Sequence, residues 1–534
     1  MARYHFTHSL YASVLTERVS AARRLRLHRR IGEWLEQTYG AHAGVVGTQM
    51  AHHFEEAGDY GRAIEHLRRA ADRDVQRWAH QEAAARLTRA VALVTHLPPA
   101  DAAAVYPFLL DQLGRVRRGL GDLPGTLQVC ETLATWARDH GEIGWEASAA
   151  LHRATVLAWV DSEGSRVASI EGMALSQRVD DPLLRANAQG HGAYWQLRLQ
   201  GARIADVPIA EAIVAAARTA GDHDLLAQSV VMLALLQLAL SDLRAAAQTA
   251  ARGIEIARDA GNAYVCLWSY HVRVGALLQL GDWGMALAAI DEGLRVGAPI
   301  SHQHFSSLLR SEAAALHAEA FDFAGAAAIA REELLQEGLT DSARQGAMFE
   351  LAFALLGLGK LDEASATFTA PQLATAAEGP AMPWSGQLRL RQGLARVWLA
   401  RGDLDRARDE AEALQTLAAT ADEPRPRAEA ARLLAEIALQ GGHLSDAEVH
   451  LREAHAAIQA CELPLVEWRI AATAARVHDR QRRRADAQAA RLRSAALVNE
   501  LADTLPPGHE LRRSLLEHAS LREGLRPRAA GPRS

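Results

Sequence analysis

The chain is nearly without lysine. Lys360 is the only one, so arginine carries almost all of the positive charge. A phosphate-binding P-loop needs lysine directly after its second glycine and then Ser or Thr, whereas Lys360 is followed by Leu361. The sequence holds no Walker A site. Aromatic residues make up 5%, which argues against a large β domain, because strands draw on aromatic and β-branched side chains. Cys130, Cys266 and Cys461 lie far apart, as expected of reduced thiols rather than of a disulfide framework. The most apolar stretch, Leu225 to Leu240, contains Gln228, Ser229 and Gln237; it is too short to span a bilayer and reads as a buried helix. Met1 to Leu10 lacks the apolar core of a signal peptide. With a net charge of −6, no global field points to nucleic acid or to a membrane surface. A G-x-S-x-G elbow, an H-E-x-x-H pair and a cysteine cluster are all missing from the sequence. The expectation is a cytoplasmic, non-enzymatic chain with no cofactor and no metal.

What is present is punctuation. Gly58-Asp59 with Ala63, Ser241-Asp242 with Ala246, Gly281-Asp282 with Ala286 and Gly402-Asp403 with Ala407 repeat one mark about every forty residues. Degenerate copies run from Gly121-Asp122 to Thr126, Phe321-Asp322 to Ala326, Gly359-Lys360 to Ala364 and Gly442-His443 to Ala447. Glycine ends one helix in the left-handed conformation, Asp caps the next, and Ala lets the two helices approach closely. A second mark falls half a period out of phase, at Gly141, Asp181-Pro182, Gly221, Gly261, Ser301, Asp341 and Cys461 to Pro464. Two alternating turns with apolar helices between them define an all-α solenoid of helical hairpins, in which each hairpin buries its open face against its neighbours.

Residues 1–45 do not follow the repeat. They read as an extended start at Tyr4-His5-Phe6, a helix near Ser9 to Val19, and an arginine-studded helix near Ala21 to Tyr39 with Leu25, Ile31 and Leu35 on one side. Pro98-Pro99 marks a joint. A looser stretch from Pro371 to Pro383, and Pro424 with Pro426, interrupt the later hairpins, and the tail from Arg522 to Ser534 has little to bury.

The segment Phe6-Thr7-His8-Ser9-Leu10-Tyr11, with Leu27-His28-Arg29-Arg30-Ile31, Ala51-His52-His53-Phe54 and Ala57-Gly58-Asp59-Tyr60, resembles a stretch of large bacterial signal-transduction ATPases. Those proteins join a P-loop ATPase of the STAND type to a tetratricopeptide-like superhelix, as in LuxR-type, maltose-regulator and cyclase-linked branches. The resemblance implies that residues 1–45 are the remnant of an ATPase-linked, winged-helix-like module. It also implies first hairpins over 46–97, the superhelix over 98–502, and a closing segment and tail over 503–534. Ala495 to Leu516 is similar to the closing helices of such arrays. The phosphate-binding loop and Mg²⁺-binding acid of the family fall upstream of Met1, and no helix-turn-helix closes the C-terminus. The chain is therefore expected to be the sensor half of a divided or truncated regulator, or to have its true start upstream.

Candidate residues follow from both readings. Arg23, Arg24, Arg26, Arg29 and Arg30 are expected to form an ATPase-docking surface, against the plainer alternative of a solvated face. His5, His8, His28, His52 and His53 are weighed as a metal site and set aside in favour of packing, because no Cys joins them. Arg480, Arg482, Arg483, Arg484, Arg491 and Arg493 are weighed against nucleic acid and set aside for want of interleaved aromatics. The forty-residue spacing stacks Asp224, Tyr264, His304, Arg344 and Trp384 in one column, with Gln228, Trp268, Leu308, Met348 and Leu388 four residues on. Asp224, Tyr264, Trp268, His304, Arg344 and Trp384 are the expected lining of a groove for a protein partner or small effector, against the alternative that they cap helices and pack between repeats. An effector there would favour one curvature of the array, and Arg23 to Tyr39 would pass that preference to an NTPase module upstream or in trans. A freestanding scaffold with no nucleotide partner is the alternative.

Overall fold

The computed structural model describes residues 19–39, 46–158, 160–300, 303–373 and 384–518. The extended start, most of the helix expected near Ser9, His5, His8, the motif at Phe6, the turn at Ser301, most of Pro371 to Pro383 and the tail from Arg522 lie outside those residues. Among the described residues all regular structure is helical, with no strand. The chain divides into two compact units, residues 1–153 and 154–534.

The turn mark is physically real. Gly58, Gly121, Gly281, Gly359, Gly402 and Gly442 all take φ of +72° to +82°, and Ser241 and Phe321 adopt the same left-handed conformation without glycine at φ 64° and 63°. The small residue that follows is sealed. Ala63, Ala246, Ala286, Ala326, Ala364, Ala407 and Ala447 are all 0% exposed, because a larger side chain there would separate the hairpin. Two further copies carry no glycine signal. Trp78 and Arg482 are left-handed at φ 62°, with Ala83 and Ala487 fully buried five residues on. Capping departs from expectation at two marks. Asp59, Asp122, Asp322 and Asp403 accept from the backbone N–H three residues on, but Asp242 and Asp282 make no side-chain cap bond. Pro424 and Pro426 do not interrupt a hairpin. They open the helix Pro424–Gln440, where proline at the first position has no helical N–H bond to lose.

In the first unit, the helix Ala21–Tyr39 forms as its spacing predicts. Leu35 joins the core with Met50, Phe54, Leu67, Leu87 and Leu109. Leu25 and Ile31 do not follow Leu35 inward; they stay 45% and 40% exposed, so the apolar face is buried only at its C-terminal end.

The second unit is a two-layered solenoid. Consecutive helices pack as hairpins, and first helices of successive hairpins also touch, as Ala263–Leu280 touches both His223–Ala239 and Gln303–Glu319. First helices thus form a continuous inner wall. Leu225 to Leu240 lies there, within the buried helix His223–Ala239. The coil then meets itself. The Ala202 N–H donates to Glu423 Oε1 at 2.9 Å, the Asp422 N–H to the Ala202 carbonyl at 2.9 Å, Arg244 bonds Glu462 at 2.5 and 2.6 Å, and the Trp283 N–H donates to Thr504 Oγ1 at 3.2 Å. Partners in these ties are 218 to 221 residues apart. At Gly284 a Cβ would stand 2.4 Å from the Thr504 carbonyl oxygen, so only glycine permits this approach of turn to turn.

Candidate functional site

Self-contact of the coil frames an interior space that stays partly open to solvent. Inside the second unit is a chamber of ≈ 830 Å³ whose walls come mainly from first helices, with a smaller pocket of ≈ 80 Å³ beside it. Tyr194, Leu197 and Trp268 line both, so they form the partition. The pocket is aromatic and largely apolar. Tyr194 meets Trp268 edge to face at 6.1 Å, and Tyr264 meets Trp268 at 6.2 Å. The Trp195 indole N–H, buried in that wall, has no hydrogen-bond partner among the described residues. A group the size of one side chain fits this pocket, and it is large enough for more than a single water.

Seven arginines and six glutamates line the chamber, a density of charge that folded interiors tolerate only when the charges are paired. Most are. Arg432 binds Glu429 at 2.9 Å and Glu436 at 3.0 Å on its own helix, Arg389 reaches Glu350 at 2.5 Å, and Arg469 reaches Glu319 at 2.6 Å. Burial pushes Glu429 up, but Arg432, Arg469 and Arg425 outweigh it and hold the carboxyl at about 2. Burial wins at three others, and it raises Glu350 despite its bond to Arg389. It pushes Glu312 up to about 7 against Arg389 and Arg425, and Glu423 to about 7 against the Ala202 N–H and Arg425. His271, 3.5 Å from Glu312, is driven down to about 4 by burial, so near pH 6 that contact joins two largely neutral groups.

A pH dependence follows. A carboxyl whose folded value is raised binds its proton more tightly when folded, so its contribution to stability is complete below the unfolded value and is lost as pH rises through 7. Glu312→Gln with Glu423→Gln should therefore make the thermal stability profile less steep between pH 5 and 8, removing a decline on the order of 1–3 kcal/mol and leaving the part due to Glu350. Melting followed by circular dichroism across that range checks it, and an unchanged slope in the double variant would refute the assignment.

The stacked column divides among several environments. Gln228, Tyr264 and Trp268 line the pocket; Trp268, Leu308, Trp384 and Leu388 line the chamber; Asp224, His304, Arg344 and Met348 line neither. Three of its members tie one repeat to the next. Asp224 accepts from Asn262 Nδ2, His304 Nδ1 lies 2.7 Å from Thr340 Oγ1, and Trp384 Nε1 donates to Thr420 Oγ1 at 3.4 Å. Each reaches the turn that opens the following hairpin. Tyr264, Trp268, His304 and Trp384 are all buried. The charged lining has its own signal, unread above: Arg389, Glu429 and Arg469, and seven residues on Arg396, Glu436 and Arg476, are two columns at forty-residue spacing with alternating sign.

Elsewhere, Arg23, Arg24, Arg26, Arg29 and Arg30 are all exposed. The rings of His28, His52 and His53 meet at 5.1 to 6.0 Å, and burial, with the neighbouring imidazoles, lowers His28 and His53; among the described residues no group of ligating side chains could hold a metal ion. Three of the six C-terminal arginines pair within the array, while Arg480, Arg482 and Arg484 are exposed. Arg483 binds Glu448 and Asp486 at 2.7 Å, Arg491 binds Asp479, and Arg493 binds Glu467 at 2.7 Å. Cys130 and Cys266 are free thiols raised to about 12 by burial, which removes them as nucleophiles. No described helix is long and apolar enough to cross a membrane.

No family model matches the chain, and no curated protein matches it. Solved structures do. A Rap protein complexed with competence and sporulation factor superposes with a TM-score of 0.50 at 10% identity, covering 67% of this chain and 99% of its own. The Cut9–Hcn1 hetero-tetramer of the APC/C gives 0.44 at 15% identity over 97% and 98%, and yeast Tom70 gives 0.36 at 12% over 92% and 95%. At such identities the likeness concerns architecture, and the first carries it: the chain is a tetratricopeptide-like α-solenoid.

Proposed function

We propose that this chain is a non-catalytic binding arm whose second unit takes a segment of a partner protein into its superhelical interior. The observation that carries this is the chamber itself. A solenoid needs its first helices only to pack on their neighbours, yet here they present aromatic and charged side chains to one interior space, and polar groups in such a place favour a ligand that satisfies them. The likeness to the Rap protein supports the architecture alone; the binding reading rests on the lining. The finer reading is that the arm belongs to a STAND-type signal-transduction ATPase. Its support is the motif at Leu27 to Ile31 and the helix Ala21–Tyr39, which leaves its five arginines exposed together with Leu27 and Trp34 at 40% and 42%. A freestanding scaffold would need no such mixed surface.

A pool of random heptapeptides with blocked termini and a photo-crosslinker, irradiated with the full chain, tests the central reading. Crosslinks are expected on inner helices, at or beside Trp268, Leu308, Trp384 and Trp468. Trp268→Leu fills space but removes the aromatic partition, and should lower the yield about tenfold with helicity retained. Labelling confined to outer helices would sink the proposal.

A further inference from the structure

Charges in the chamber do not balance locally. Four glutamates have arginine partners: Glu350 with Arg389, Glu319 with Arg469, and Glu429 and Glu436 with Arg432. Glu423 is engaged by the Ala202 N–H. Arg396 and Arg425 stand differently. Both line the chamber and are only partly exposed, yet among the described residues no carboxylate lies within 4.0 Å of either guanidinium. Arg396 lies 5.6 Å from the centre of the Phe353 ring, which is a weak substitute for a counter-ion. Burial opposes its charge first, then Arg432 and Arg469, and the more distant Glu429 and Glu319 offset only part of this. Guanidinium groups in a partly desolvated wall, with no carboxylate in direct contact, favour an anion, best of all a carboxylate that meets the planar fork with two parallel hydrogen bonds.

Resting on the reading of the chamber as a partner-binding site, we infer that its ligand is an acidic segment of extended polypeptide whose carboxylates supply the direct ion-pair partners that Arg396 and Arg425 lack. Size and lining favour a polypeptide over a small anion. The chamber holds ≈ 830 Å³, carries apolar faces at Leu308, Phe349 and Trp468 beside its charges, and presents Trp268 and Tyr194 as an aromatic wall for an apolar side chain of the same segment.

The same blocked heptapeptide pool, retained on the full immobilised chain and read by mass spectrometry, tests this. Peptides rich in Asp and Glu should be enriched, and Arg396→Gln with Arg425→Gln should lower that enrichment about tenfold. Arg396→Lys and Arg425→Lys, which keep the charge without the fork, should keep the acidic preference with weaker retention. Arg396→Met should melt at or above the native temperature, since it removes an unpaired charge, and that measurement separates lost binding from lost folding. Retention without acidic bias, or a bias that survives the double Gln variant, overturns the acidic assignment and leaves partner binding standing. Retention of no peptide at all overturns both. Capture of citrate or inorganic phosphate at micromolar concentration, with peptides ignored, would assign the arginines to a small anion and overturn the polypeptide source.

Discussion

Arg432→Met should destabilise the second unit by about 3–5 kcal/mol, because it leaves a buried carboxylate without its cation. The Arg432 side chain is 6% exposed and spans Glu429 at 2.9 Å and Glu436 at 3.0 Å. Glu436 keeps other partners, Arg476 at 3.6 Å and the Thr473 hydroxyl at 3.1 Å. Glu429 has no such reserve in hydrogen bonds, so most of the loss is expected there. Replacing both, as Arg432→Met with Glu429→Leu, should recover most of the stability, since apolar groups of similar size cost nothing to desolvate. The sign of the pH effect is fixed by the depressed Glu429 value. Its contribution is present above the unfolded value, near 4.5, and is lost as pH falls toward 2, so the deficit of the single variant should shrink in acid. Thermal melting and native-state hydrogen exchange over Pro424–Gln440 check both statements. A single variant as stable as the native chain at pH 7 would mean that these charges are solvated rather than buried.

Trp283→Ala should cost about 3–5 kcal/mol, the usual range for truncating a buried tryptophan. Trp283 is 0% exposed and opens the helix Trp283–Gly297. Its indole N–H donates to the Leu278 carbonyl at 3.2 Å, and its backbone N–H reaches across the coil to Thr504 Oγ1 at 3.2 Å. The residue therefore supports a hairpin turn and a tie between superhelical turns at once. Trp283→Phe keeps most of the volume and loses the indole bond, for which a loss of about 1 kcal/mol is expected. Exchange protection should fall in Ala for both Trp283–Gly297 and the distant Arg484–Asp503. If protection falls only around Trp283, the tie at Thr504 contributes little and the coil is held by its successive hairpins alone.

Hairpins were legible from sequence because each is specified locally: a residue able to turn left-handed, a cap, and a small residue at the crossing all act within five positions. Failures were local as well. Trp78 and Arg482 make the same turn without glycine, at a conformational cost that sequence inspection does not forgive, and Leu25 and Ile31 share a helical face with Leu35 without sharing its burial. The site was legible only in part. Trp268 stands at the partition between pocket and chamber, whereas Asp224 and His304, which share its periodic spacing, are spent on ties to the next hairpin.

By itself, then, the sequence determined an all-helical array with a forty-residue period, and even carried the alternating charges of Arg389, Glu429 and Arg469 in register. Only the tertiary structure decided that those charges line one common cavity. The reason is cumulative geometry. Curvature is the sum of small rotations from one hairpin to the next, and no single hairpin encodes the sum. The coil closes when that sum brings Ala202 to Asp422 and Gly284 to Thr504, more than two hundred residues along the chain, and that closure turns a row of ordinary helix faces into the wall of a chamber.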